Sequence, residues 1–498
     1  MEAYTDLIRR WREASLLGSC AALLGWDERT YIPHNGSAHR AEQLALLARL
    51  GHERITDPKI GELLDRLAHA TLPSDQLANT REIRRAYNRA VKLPPELVEE
   101  MARVTTRAQQ IWTEARAAND YKSFQPWLEK IVALKRREAD CVGYKEHPYD
   151  ALIDEFEPGA STVSIRKLFA DLADDLTPLV ASLLASKKGP NREILHREYP
   201  ADAQQSLGRL AAETIGFDFQ SGRLDVTTHP FCSGIGPGDC RITTRYNPRH
   251  FNESFFGILH EAGHGIYEQN LPAEHFGEPI GSAASYGIHE SQSRLWENQV
   301  GRGRPFWEFF FPKAKEAFPA ALAHVSLDEF LFAINDVQAS FIRVEADEAT
   351  YNLHIILRFE LEQALISGDL KPADLPGAWN SSFKKLLSLT PPDFAKGCLQ
   401  DIHWSFGGLG YFPTYTLGNL FAAQFMEQAR ADLGSEALDA DFRYGQFGRL
   451  KTWLTEKIHR HGQRYRPADL CERITGKPLS HKPFIDYLRA KFGPLYGV

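Results

Sequence analysis

The segment "FFGILHEAGHGIYEQ", Phe255 to Gln269, decides how the rest of the chain is read. Its apolar residues recur at three-and-four spacing, and on a helix His260 and His264 fall on one face, about 6 Å apart along the axis. Two imidazoles so placed can meet one ion at ~2.0 to 2.1 Å, the usual zinc–nitrogen distance. Glu261 is offset by one residue, so it flanks such an ion without competing as a ligand, as suits a base acting on metal-activated water. Gly263 and Gly265 each weaken a helix by about 1 kcal/mol relative to Ala, a cost that makes sense where another backbone or a substrate approaches closely. The competing account is a solvated helix face whose histidines fall at this spacing by chance.

Two histidines do not complete a catalytic zinc site, which usually has three protein ligands and an open position. Tyr267 and Asn270 stand where a metzincin would have Gly and His, so that class is excluded. Glu268 shares the histidine stripe but lies about 12 Å from His260 along the axis, too far to bind the same ion. The third ligand therefore comes from another element. Downstream, "GSAASYGIHESQSRLWENQV" reads as a loop entering a helix and offers Glu290 and Glu297. Glu290 follows His264 by 26 residues, enough for a turn and a second helix to cross the first. Spacing lets either carboxylate serve. Glu290 is preferred, with Glu297 as a surface group or one that backs the ligands.

Upstream, "RLDVTTHPFCSGIGPGDCRITTRYN" is dense in β-branched residues, and Gly-Ile-Gly-Pro-Gly separates two extended pieces, the pattern of a small antiparallel sheet. A strand in the second piece puts Asp239, Arg241 and Thr243 on one face. The helix after it is expected to be capped by Asn247, with Pro248 in its first turn, and to end near Pro272. Elsewhere the three-and-four apolar pattern dominates, for example in "AEQLALLARLGHERI", "FQPWLEKIVALKRREAD" and "VSIRKLFADLADDLTPLVASLLASKK". The expected architecture is mainly α, one domain over residues 1–498, although the length allows two lobes.

Composition narrows the function classes. The chain is 43% hydrophobic and 25% charged, with a formal charge of −7, which supplies no broad positive field for phosphate backbones. Nucleic acid is therefore not an expected partner. The six cysteines are scattered with no C-x-x-C pair, which disfavours finger-type zinc and a disulfide scaffold and suits a reducing cytoplasm. The opening segment reads as an amphipathic helix and not a signal peptide, and no apolar run approaches the roughly 20 residues of a membrane span.

Many motifs in order along nearly the whole chain resemble the thermostable metallocarboxypeptidases called carboxypeptidase Taq. They include "ALLGWDERTYIP", "RAEQLALLARL", "HPYDALIDEFEPG", "HPF" at 229–231, "DCRIT" at 239–243, "HEAGH", "HESQS" at 289–293, "IRVEADE" at 342–348 and "GCLQDIHWSFGGLGYFPTYTLG" at 397–418. The resemblance implies a mostly helical fold with a deep groove and one zinc ion held by His260, His264 and Glu290, with cobalt accepted in some members. It also implies a homodimer and release of single residues from peptide C-termini. It assigns the terminal carboxylate of the substrate to Arg343, whose guanidinium can make two parallel charge-assisted hydrogen bonds. The plainer account of Arg343 is an ion pair with Glu345, Asp347 or another acid.

An oxyanion also needs donors, and "DIHWSFGGLGYFPTY" offers His403, Tyr411 and Tyr415. Related helical zinc peptidases use a histidine and a tyrosine about twelve residues apart, which favours His403 with Tyr415 and leaves Tyr411 to line the groove. Packing of these aromatics against one another is the bland alternative. Two roles are open to Arg241, closing the groove or pairing with Asp239. His229 either touches substrate or makes a structural hydrogen bond, and Trp26 and Asp27 are read as packing. The enzymatic alternative is a zinc endo-oligopeptidase of related helical architecture, and the non-enzymatic one is a helical scaffold with a vestigial metal site.

Overall fold

Three-and-four apolar spacing produces helices where it is strongest. The computed structural model, which describes residues 2–498, opens with a helix over Glu2–Thr30 and places the quoted helical blocks in Ser37–Ile55, Tyr121–Val142 and Thr162–Leu184. Their starts follow capping chemistry. Asp120 accepts from the Lys122 and Ser123 amides, and Ser161 with Ser164 forms a reciprocal capping pair. Among the described residues no helix is long and apolar enough to cross a membrane.

The chain divides into two compact units, each assembled from three stretches. The first comprises the chain through Val91, Pro190–Ile334 and Ala422–Lys477. At its centre lies the helix Phe251–Gln269, which carries the H-E-x-x-H segment. The first turns of this helix are fixed by aromatic packing. The Phe251 and Phe255 rings lie 5.9 and 5.0 Å from Trp307, and Phe330 is 5.5 Å from Phe251. Burying each such ring contributes on the order of 1.5–3 kcal/mol, so the polar segment that follows is held by an apolar anchor.

The sheet beside this helix has three strands, β1 (Gly222–Val226), β2 (Cys232–Gly236) and β3 (Asp239–Thr244), in the order β1-β3-β2. The expected antiparallel pairing holds for β2 with β3, but β1 runs parallel to β3 on its other edge, so the sheet is mixed. The first extended piece is split by the segment around Pro230, whose lack of an amide proton interrupts a ladder. Helix initiation also differs from expectation: the N-cap is His250, not Asn247. Asn247 instead closes a preceding turn, its side chain accepting from the Arg249 amide and its carbonyl from the His250 amide. Pro248 belongs to that turn.

The second unit comprises Lys92–Gly189, Asn335–Phe421 and Pro478–Val498. Its helix Tyr351–Ser367 is buried nearly all round, including Asn352, His354, Arg358 and Glu362. Polar groups in such an interior need partners, and for Asn352, Arg358 and Glu362 most of these come from the later segment 400–419. Asn352 accepts from Thr416 and Asn419, and Arg358 binds Asp401 and Gln400. Glu362 accepts from Trp404, the Gly410 amide and the Tyr149 hydroxyl. The Gly-rich stretch is thereby tied to a rigid helix. Gly410 has φ of +97°, and a Cβ there would stand 2.8 Å from the Leu152 backbone, so only glycine suits the position.

Candidate metal centre and anchoring cluster

On the helix Phe251–Gln269 the His260 and His264 rings lie 4.9 Å apart, both facing the helix Tyr286–Arg294. Oε2 of Glu290 stands 3.6 Å from Nε2 of His260 and 3.3 Å from Nε2 of His264. The three donor atoms lie within 4.8 Å of one another. Donors ~2.1 Å from a tetrahedrally bound ion stand ~3.4 Å from each other, so two imidazole nitrogens and a carboxylate oxygen at these separations fit a zinc-type ion.

The two oxygens of Glu290 have separate tasks. Oε1 accepts from Nε of Arg294 at 2.7 Å, while Oε2 accepts from the Ser293 hydroxyl and faces the imidazoles. Burial alone would raise this carboxyl, but Arg294 and the two histidines outweigh burial and hold it well below the usual range. The group is ready to bind a cation as a carboxylate.

Glu297, seven residues on, lies in a π-type turn, Leu295–Val300. Its Oε2 is 2.9 Å from Nδ1 of His260, and Arg294 and Arg302 lie at 3.3 and 3.6 Å from its oxygens. It therefore backs a ligand and is not one. Glu268 also stays outside the donor set and contacts Nε2 of His289 at 2.8 Å. Glu261 is buried beside the donors, and desolvation, reinforced by the Glu290 charge and tempered by His260, pushes its carboxyl up to about 7. That value suits a group that takes and returns a proton near neutral pH.

Arg241 makes the structural pairing: Nε and Nη2 bind the two Asp239 oxygens at 2.8 Å each, and its guanidinium lies 4.2 Å from the Trp26 ring. Trp26 is buried, and Asp27 pairs with Arg40 at 2.7 Å. His229 is exposed in the connection between β1 and β2.

In the second unit the structure brings Arg343, His403, Tyr411 and Tyr415 together. Arg343 is buried and pairs with Asp401, not with Glu345 or Asp347, its Nε and Nη2 standing 3.0 and 2.8 Å from Oδ1. Its Nη1 donates to the Tyr351 hydroxyl at 2.9 Å, and the Tyr415 ring lies 5.0 Å away. Asp401 is shared with the fully buried Arg358, so two guanidiniums face one carboxylate and a positive charge is left over. Nε2 of His403 is 3.2 Å from the Tyr415 hydroxyl, while its Nδ1 is buried without a hydrogen-bond partner. Burial and the Arg343 charge press the imidazole down to about 3, so it is neutral. Tyr411 packs 5.3 Å from Tyr415 and 5.6 Å from His403.

Sequence reasoning gave no role to His289, Arg294, Arg358, Asp401 or Glu362. Arg294 was within reach, because it follows Glu290 by one helical turn, the spacing of an ion pair. The others are joined by chain crossings that no local spacing reports.

Similarity to known proteins extends over nearly the whole chain. The carboxypeptidase Taq (M32) metallopeptidase family matches residues 6–492. The thermostable carboxypeptidase 1 of Thermus thermophilus is 48% identical, with 99% of each chain covered. Carboxypeptidase 1 of Bacillus subtilis is 40% identical over 99% of this chain and 98% of its own. Among solved structures, the M32 carboxypeptidase of Deinococcus radiodurans superposes with a TM-score of 0.97 at 40% identity, covering 100% of both chains.

Proposed function

Because the chain belongs to the carboxypeptidase Taq (M32) metallopeptidase family and is a metallocarboxypeptidase working with a divalent metal, we propose that it is a zinc enzyme that removes single residues from peptide C-termini. The carrying observation is the convergence of His260, His264 and Glu290 beside a buried Glu261 whose carboxyl is raised toward neutrality. One zinc per chain, replaceable by cobalt, would be held by those three side chains. Bound there, the metal supplies Lewis acidity toward water and the scissile carbonyl.

The chain's own groups do the rest. Glu261 takes the proton from the attacking water and passes it to the leaving amine. Arg343 holds the terminal carboxylate of the substrate. The charge left over from two guanidiniums on Asp401 supports this role, because a buried cation surplus is stabilised by one more anion. His403 and Tyr415 donate to the oxyanion, which suits a neutral imidazole and a phenol in hydrogen-bond contact. Tyr411 lines the peptide path, and His229 and Arg241 contribute to substrate binding, Arg241 through a pose fixed by Asp239 and Trp26.

Each unit is woven from three stretches and the family match runs through both, which supports one catalytic domain over 1–498. Six free cysteines suit a reducing cytoplasm, and the net charge of −7 suits peptides and not nucleic acid as partners. We expect a homodimer, to be read by light scattering. The deciding experiment is a timed digest of one peptide with a free and with an amidated C-terminus, with and without chelator. Stepwise loss of single residues from the free form alone, abolished by chelator, is expected. Equal internal cleavage of both forms would instead indicate an endo-oligopeptidase.

A further inference from the structure

We propose that Glu268 is a positioning residue for the metal centre, acting through His289 to fix which nitrogen of His264 is free to bind the ion. The inference rests on the metal-site reading above and extends it to a side chain outside the donor set.

Three contacts form a chain. Oε1 of Glu268 is 2.8 Å from Nε2 of His289, Nδ1 of His289 is 2.6 Å from Nδ1 of His264, and Nε2 of His264 faces Glu290. The two rings are tilted only 27° from a common plane with centroids 4.5 Å apart, so the short nitrogen pair meets edge to edge. A carboxylate only accepts, so Nε2 of His289 carries the hydrogen and donates to Glu268. With its hydrogen on Nε2, the His289 ring offers the Nδ1 lone pair as an acceptor. An ion at Nε2 of His264 needs the lone pair there, which puts the His264 proton on Nδ1, and that N–H points at the Nδ1 acceptor of His289. Every donor has an acceptor in this one tautomer pair, and Glu268 selects it.

His260 is fixed more simply, by direct contact of its Nδ1 with Glu297. One ligand thus leans on a carboxylate directly, and the other reaches its carboxylate through an imidazole spacer. The spacer is needed because Glu268 follows His264 by one turn on the same helix and its carboxylate is directed to the sheet side, against β2.

The sheet contains a matching adaptation. A Cβ on Gly234 of β2 would stand 2.4 Å from Oε2 and 2.8 Å from Cδ of Glu268. The atoms met are the tip of a flexible side chain, so Gly234→Ala would leave the fold intact while displacing the carboxylate from His289.

The test is zinc affinity of the full chain, measured by competition with a chromophoric chelator, with circular dichroism to verify folding. Glu268→Ala is expected to weaken zinc binding about 10–100-fold, whereas Glu268→Gln, whose amide oxygen still accepts from His289, stays within about threefold of the parent. Gly234→Ala is expected to weaken binding in the same direction as Glu268→Ala. The double variant Gly234→Ala/Glu268→Ala should bind no more weakly than Glu268→Ala alone, because the methyl acts only through that carboxylate. Parent-like affinity in both single alanine variants, or fully additive losses in the double variant, overturns the relay while the metal site stands. A parent protein that binds no zinc overturns the metal site, and the relay with it.

Discussion

Gly263→Ala tests whether the approach of two helices sets the ligand geometry. Gly263 is buried on the helix Phe251–Gln269, where a Cβ would meet the Gln292 carbonyl oxygen at 2.6 Å and Cα of Ser293 at 2.7 Å. Ordinary contact begins near 3.4 Å, so the methyl demands roughly 0.8 Å of separation in a close-packed interior. The opposing atoms are backbone, and no rotamer change absorbs the clash. Glu290 rides on the same helix as Gln292, so that shift carries its Oε2 from 3.3 and 3.6 Å of the imidazoles toward 4 Å or more, beyond the ~3.4 Å of a tetrahedral shell. Overpacking costs about 1–3 kcal/mol, and alanine returns about 1 kcal/mol of helix propensity. The net of roughly 0–2 kcal/mol makes global stability a blunt readout. Zinc affinity is the sharp one, expected to fall about tenfold or more, as for other changes that misplace ligands. Faster amide exchange in Phe251–Gln269 and Tyr286–Arg294 should accompany it. An unchanged zinc dissociation constant with unchanged exchange would refute the reasoning.

Three further outcomes are expected. Glu261→Gln, nearly isosteric, should keep its zinc by metal analysis and lose about 10²–10⁴-fold in kcat, and full activity in a zinc-loaded variant would exclude Glu261 as the base. Arg343→Lys keeps the charge but not the paired donors, so KM for peptides with free C-termini should rise about tenfold or more while rates on amidated peptides stay put; unchanged steady-state kinetics on both would remove Arg343 from the anchoring role. Burial pushes the Glu362 carboxyl up to about 7 from an ordinary 4.5, so native Glu362 holds its proton where the unfolded chain has lost it. Its stabilising contribution is whole below pH 4.5 and is lost as pH rises through 7, on the order of 3 kcal/mol in all. Glu362→Gln should flatten that part of the pH profile of the thermal midpoint, and superimposable profiles would count against a buried neutral carboxyl.

What was legible in the sequence follows from how far each signal reaches. Helical blocks and the H-E-x-x-H pair are periodicities within one element, and the structure forms them where the spacing put them. The choice between Glu290 and Glu297 lies one level up. Both project toward the metal helix from successive helical segments, about two turns apart, and which imidazole nitrogen each meets depends on how the helices cross. Spacing therefore gave only a preference for Glu290, and motif resemblance over the whole chain turned that preference into an assignment. The parallel β1 escaped for a similar reason: β-branched density marks strands but carries no direction, and the split around Pro230 is what lets β1 reach the far edge of β3.

Arg343 shows where local reading misleads. Counting along the chain offers Glu345 and Asp347 as partners, yet Asp347 already accepts from the Ala349 and Thr350 amides through Oδ1, and from the Gln338 amide and Thr350 hydroxyl through Oδ2. Both oxygens are engaged in holding the entry to the helix Tyr351–Ser367. The guanidinium turns instead to Asp401, which Arg358 holds from the other side. Three chain segments are needed to create a buried site with two cations and one anion, and that imbalance is the feature that suits a peptide's terminal carboxylate. Had the nearer acids satisfied Arg343 one to one, there would be no charge left for a substrate to neutralise.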